Sequence, residues 1–297
     1  GFEEAKLILK ETASEEVPLQ FDINIYPVSQ SWEMGKGTRF DNIETAGVTW
    51  NYREGDSSLR WVNNVVDGNI VFATNTTGSF AGRGGVWHSN LSSSKSFTYK
   101  TEDVDADITT IFQSWLSGSI QNEGLIVKHS NEFEEDTNDY GILKFFSKET
   151  NTIHQPKVRI GWDDVSFSTG SLTELTSEEI KVGIRNFKKH YKVNTTPKLR
   201  VVGRDLYPTK TFSSTAQYGI SKFLPTTSYY QVCDYHSGEV MIPFSNYTKL
   251  SCDTDGNYFN LNLSNWEVDR VYNIEFKITI SGVDYFFDND YTFSLIS

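Results

Sequence analysis

The chain has 297 residues, a formal net charge of −12 and 14% aromatic residues, dominated by 20 Phe and 15 Tyr. That length leaves room for two domains of ordinary size, and the acidic balance works against binding a polyanion such as nucleic acid. No apolar run approaches the ~20 residues of a membrane-spanning helix, and two cysteines are too few for a disulfide framework or a zinc site, so Cys233 and Cys252 read as buried free thiols.

The charge is uneven. Residues 1–172 hold 14 Lys and Arg against 25 Asp and Glu, whereas residues 173–297 hold 13 against 14. Along the first half, "AKLILKE" (5–11) and "LQFDINIYPV" (19–28) alternate, with Phe21, Ile23 and Ile25 on one face and Asp22, Asn24 and Tyr26 on the other. Next, "SWEMGKGTRFDN" (31–42) and "GVTWN" (47–51) place Trp32 and Trp50 on a glycine-rich loop. Large aromatics there act either as pins holding the loop to a sheet or as a flat platform for a ligand such as a sugar. Sharp turns at the glycines favour pins, with both indoles in the core.

Short β-rich runs bounded by Gly, Asn, Asp or Ser continue to residue 162, a density that predicts two packed antiparallel sheets. One segment departs from that rhythm. Ile108, Ile111, Phe112, Trp115 and Leu116 form an i, i+3, i+4, i+7, i+8 stripe, which predicts a helix over 107–117. Asp105 or Asp107 supplies its cap and Gly118 its stop.

The stretch "DDVSFSTGSLTELTS" (163–177) is rich in Ser, Thr and Gly and marks the domain boundary, giving domains at 1–165 and 179–297 joined by a linker at 166–178. Beyond it, "TSEEIKVGIRNF" (176–187) has a capping-box pattern at Thr176 and Glu179, but Ile180, Val182 and Ile184 alternate. β-Branched residues around an inner glycine favour a strand. Later runs fold as hairpins at Ser237-Gly238, Asp255-Gly256 and Ser281-Gly282. The fold class that follows is all-β: an N-terminal sandwich with one short helix, then an immunoglobulin-like β-sandwich.

Motifs for covalent or metal chemistry do not stand out. There is no G-x-S-x-G, H-E-x-x-H, phosphate loop or dinucleotide fingerprint, and the five histidines are scattered. No catalytic residue is assigned. A calcium ion is the one cofactor with candidate ligands, on the acidic loop carrying Glu132, Glu134, Glu135, Asp136 and Asp139. A solvated loop tip competes with that reading, and "DTDGN" (253–257) reads as a hairpin turn before it reads as an ion site.

"YPVSQSWEMG", "GVTWN", "DADITTIFQSWLSGSIQNEGLIVKHS" and "LKFFSKETNTIHQPKVRIGW" occur in that order over residues 5–163. Together they resemble DNRLRE-type jelly-roll domains, β-sandwich modules related to some carbohydrate-binding modules. With "LRVVGRDLYPTKTF", "SKFLPTTSYY", "SCDTDGNYFNL" and "FDNDYTF", nearly the whole chain resembles virion structural proteins of contractile-tailed bacteriophages of marine bacteria. The resemblance implies a non-enzymatic component of the virion exterior (tail, baseplate, fibre or neck). Its implied partners are other virion proteins, further copies of itself and possible host surface glycans, with no nucleic acid and no membrane insertion. The alternative is a carbohydrate-binding module of a secreted or surface protein, and a polysaccharide depolymerase is a third reading. The family sandwich opens with an additional strand, and this chain begins at Gly1 rather than Met. That implies a processed or partial chain in which the strand at 5–11, or its neighbour, is an open edge.

Overall fold

The computed structural model describes residues 1–35, 46–55, 59–61, 70–72, 84–99, 102–129, 138–209, 212 and 222–297. The chain divides into two compact units, Phe2–Gly161 and Trp162–Ser297, the latter with Gly1. Both are built of strands, and among the described residues there is one α-helix.

The first unit runs β1 (Phe2–Leu9), β2 (Glu11–Glu15), β3 (Gln20–Pro27), β4 (Tyr52–Glu54), β5 (Leu59–Arg60), β6 (Ile70–Phe72), β7 (Val86–His88), β8 (Ser93–Thr98), β9 (Val104–Asp107), α1 (Thr109–Leu116), β10 (Leu125–His129), β11 (Ile142–Phe145) and β12 (Lys157–Trp162). Two three-stranded sheets, β12-β1-β9 and β10-β3-β8, share one core. Ala5, Leu7, Val104 and Ala106 come from the first sheet, Phe21, Ile23, Ile25 and Phe97 from the second. The alternation of β3 puts Phe21, Ile23 and Ile25 inward as expected. Phe21 lies opposite Phe97 in the register, and their rings stack at 4.7 Å, a cross-strand pair that fixes the register of both strands.

The strand at 5–11 is not an open edge. β1 lies between β12 and β9, and its neighbours are the outer strands of this sheet among the described residues, while β2 pairs with β11. Ala5 and Leu7 are buried on its inner face, as are Val104 and Ala106 of the neighbouring β9.

The helix forms where the stripe predicts it. Asp107 is the acid that serves its start, accepting the Thr109 N–H at 2.8 Å, and Gly118 takes the left-handed conformation at φ 71. Ile108 and Ile111 are buried and Phe112 and Trp115 pack partly on the core, while Leu116 is exposed because the two-turn helix ends at the rim.

The second unit runs β13 (Thr173–Glu174), β14 (Ile180–Ile184), β15 (His190–Lys192), β16 (Lys198–Asp205), β17 (Lys222–Phe223), β18 (Ser228–Asp234), β19 (Val240–Ile242), a 3-10 turn (Asn246–Thr248), β20 (Ser251–Asp253), β21 (Gly256–Asn260), β22 (Val271–Ile280) and β23 (Val283–Ile296). One sheet has the order β13-β17-β16-β21-β20 with β14 also on β16, the other β15-β23-β22-β18-β19. Their inner faces form one core in which Tyr230 of β18 stacks on Phe259 of β21 at 4.2 Å.

The ambiguous 180–184 segment is a strand. Ile180, Val182 and Ile184 point into the core and Lys181 points out, so the period of two outweighs the capping-box pattern. The segment 166–178 is not a free linker. Phe167 bridges to Cys252, Thr173–Glu174 pairs in parallel with β17, and Leu175 is wholly buried. Its apolar residues, sparse among Ser and Thr, are what recruit it to the core. The hairpins form at Ser237-Gly238 and Ser281-Gly282; the latter has φ 52 and 83, the two left-handed residues of a type I′ turn. In the third, Gly256 pairs with Asp253, so the two-residue turn is Thr254-Asp255, one position earlier than expected.

Gly203 on β16 shows how closely this core is filled. A Cβ there would lie 2.4 Å from Leu224 Cδ2 and 2.9 Å from Leu175 Cδ2. Gly203→Ala is expected to cost about 1–3 kcal/mol by overpacking, read from the urea midpoint. A shift under ~0.5 kcal/mol would mean that the two leucines do not close over β16.

Candidate functional site

The Trp32 and Trp50 loops of the first unit are knitted together by backbone hydrogen bonds. Glu33 N–H donates to Arg53 O (3.0 Å), Val48 N–H to Glu33 O (2.7 Å) and Thr49 N–H to Tyr52 O (2.7 Å). Thr49 also accepts the Tyr52 N–H on its hydroxyl at 3.0 Å. Gly47 sits where no side chain fits, since a Cβ would lie 2.4 Å from Met34 O. The glycine therefore permits close approach of the two loop segments. Trp61 is the true pin of this region: it is buried, and its indole N–H donates to Thr49 O at 3.2 Å.

Trp32 and Trp50 are not core residues. They are 39% and 46% exposed, because Trp61, with Val28 and Val86, occupies the interior position they were expected to fill. Trp32 is nevertheless anchored, its indole N–H donating to Glu123 O at 2.7 Å while its ring lies against Gly124. Trp50 is held through its backbone, its carbonyl accepting from Gly84 N–H.

The sequence did not single out the basic residues beside them. Arg53 donates to the carbonyl and hydroxyl of Ser31 at 2.9 and 3.1 Å. Arg60, opposite Tyr52 in the β4–β5 pair, lies over the Tyr52 ring with its guanidinium carbon 5.3 Å from the centroid. Among the described residues neither guanidinium meets a carboxylate. Two exposed indoles, a tyrosine and two such cations can stack on a sugar face and accept an anionic substituent. The signal in sequence was the pair of short arms "YRE" and "LRW", each carrying an arginine beside an aromatic.

Of the five calcium candidates only Asp139 lies among the described residues. Glu132, Glu134, Glu135 and Asp136 lie outside the described residues. Asp139 uses its carboxylate on the Gly141 N–H at 2.9 Å, a local turn contact. Among the described residues no three His, Cys, Asp or Glu side chains are grouped to hold a metal. Both cysteines are free and buried, and burial pushes both thiols up, away from a reactive thiolate.

In the second unit Asp253 is committed to charge pairing. Arg200 Nη1 contacts one oxygen, Lys198 Nζ lies 3.0 Å from the other, and Asp255 N–H adds a third donor. The Arg200 guanidinium first, then Lys198, hold its carboxyl well below the usual carboxylate range. Its folded pKa is below that of the unfolded chain, about 3.9. The associated stability is therefore full above about pH 5 and is lost as pH falls through about 4 toward the folded value. Asp253→Asn is expected to flatten the loss of melting temperature below pH ~4; an unchanged acid slope would contradict the pairing.

The chain matches no family model, no curated protein and no solved structure.

Proposed function

We propose that the chain is a non-enzymatic structural protein of a bacteriophage virion, an exterior tail, baseplate, fibre or neck component, with a jelly-roll first unit and an immunoglobulin-like second unit. The observation that carries this reading is the ordered resemblance of segments from Tyr26 to Phe293, in both units. Two all-β units whose strands present long exposed faces suit a protein that works by contact. The direct test is mass spectrometry of purified particles combined with antibody labelling of intact ones. The chain is expected in stoichiometric amounts and accessible on the outside. Absence from particles, or polysaccharide turnover abolished by one Asp or Glu substitution, would overturn it.

A second reading rests on the exposed indoles beside Arg53 and Arg60. It makes the first unit a module for acidic polysaccharide, with Trp32 and Trp50 as stacking faces and the guanidiniums meeting uronate or sulfate. Trp50→Ala and Arg60→Ala are each expected to weaken alginate binding about tenfold, on the order of 1.4 kcal/mol. Equal binding by both variants, or preference for a neutral glucan, would remove the reading.

A further inference from the structure

The second unit carries two exposed patches of opposite charge, and among the described residues neither is fully compensated by its own surroundings. The first is the outer face of the β18–β22–β23 sheet. Tyr229, Lys277 and Phe286 are register partners in one row, and Gln231, Glu275 and Asp288 in the next. On β23, Asp284, Phe286 and Asp288 alternate and so share that face, with the Phe286 ring 67% exposed between two carboxylates.

This face already holds one cation. Lys277 Nζ lies 4.9 Å from the Tyr229 ring centroid, 6.0 Å from that of Phe244 and 3.6 Å from the Asp284 carboxylate. The other two carboxylates have neutral donors only. Glu275 accepts from Gln231 Nε2 at 3.1 Å; Asp288 accepts from Asn273 Nδ2 at 3.0 Å and from Asp290 N–H at 3.2 Å. Among the described residues no Lys or Arg reaches either.

The second patch is "RNFKKHYK" (185–192), four cations in eight residues of a chain that is acidic overall. Arg185, Lys188, Lys189 and Lys192 are all exposed, and among the described residues none forms an ion pair. Their backbone is fixed. Asn186 donates to Lys198 O and accepts from Arg200 N–H, both at 2.8 Å, and Lys188 N–H donates to the Tyr191 hydroxyl at 2.9 Å. Residues 190–192 then pair in parallel with Ser294–Ile296 of β23. A charged segment on a fixed backbone loses little further freedom on docking.

The two patches lie at opposite ends of β23. Asp288 and Ser294 lie opposite Glu275 and Val271 of β22, four residues or about 14 Å apart at ~3.4 Å per residue, beyond the roughly 8–10 Å over which surface charges act at ordinary salt. They therefore do not neutralise each other within one molecule. Nothing prevents them from doing so between molecules.

We propose that this chain associates with itself head to tail, the basic segment 185–192 of one copy docking on the Phe286 face of the next. Lysine stems cover the Phe286 ring while their ammonium groups, with the Arg185 guanidinium, reach Glu275 and Asp288, repeating between copies what Lys277 does within one. Such a contact joins two different surfaces, so it propagates into a ring or an open filament rather than stopping at a dimer. It does not depend on the virion reading, which would survive its failure.

The test is sedimentation velocity of the full chain at increasing concentration. Wild type is expected to self-associate at roughly 0.05 M salt and about tenfold more weakly at roughly 0.5 M. The variants Lys188→Glu/Lys189→Glu and Glu275→Lys/Asp288→Lys should each be monomeric alone and should associate when mixed, because mixing restores opposite charge across the contact. Circular dichroism checks that both fold, and Phe286→Ser, at an exposed ring, provides a second route to weaken the acidic face by about tenfold. A wild type that stays monomeric, association indifferent to both charge reversals, or a mixture that does not recover it would each overturn the proposal.

Discussion

The burial of two sheet faces against each other is the constraint on which the second unit depends. Tyr272, Ile274, Phe276 and Ile278 on β22 are wholly buried, and Leu261, Leu263 and Leu295 join them without exposed area. Each such side chain contributes roughly 1.5–3 kcal/mol relative to exposure, the drive that opposes the conformational entropy of ordering long strands. Because a strand alternates faces, filling one side with Phe and Ile sends every second residue outward. Glu275, Lys277 and Thr279 are outside because Ile274, Phe276 and Ile278 are inside. The surface rows that carry charge are a by-product of the core's register.

The same logic orders the first unit. Phe21, Ile23 and Ile25 close against Val104 and Ala106, and the loops at 31–35 and 46–55 project from that support. Trp61 takes the buried position there, which leaves Trp32 and Trp50 partly exposed on a hydrogen-bonded frame. In both units, exposed aromatic and charged side chains sit on a backbone that burial elsewhere has already fixed.

Much of the fold was legible in sequence because it follows from period. β3, β14 and α1 were readable from alternation or from an i, i+4 stripe, and Gly118 and Gly282 from their need for a positive φ. The misreadings have a common cause: they depend on which of several similar residues wins a three-dimensional position. Three tryptophans, Trp32, Trp50 and Trp61, fall within thirty residues, and composition does not say which one is interior. The segment 166–178 has a linker's composition, yet buried Leu175, the Phe167 bridge and the Thr173–Glu174 pairing tie it to the second unit. The acidic row Gln231–Glu275–Asp288 was hidden because Gln231 joins the β22–β23 hairpin from 44 residues before Glu275.

The central claim is that the proposed contact surfaces ride on a backbone locked by the sheet-on-sheet core, and native-state hydrogen exchange of the full chain measures that most directly. The account expects the β22 amides from Tyr272 to Ile280 to exchange only through global unfolding. It also expects the Lys188 and Arg200 amides, donors to Tyr191 Oη and Asn186 Oδ1, to be protected well above loop amides. Exchange of the β22 amides at loop rates, or full exchange at Lys188 and Arg200 while β22 stays closed, would contradict it.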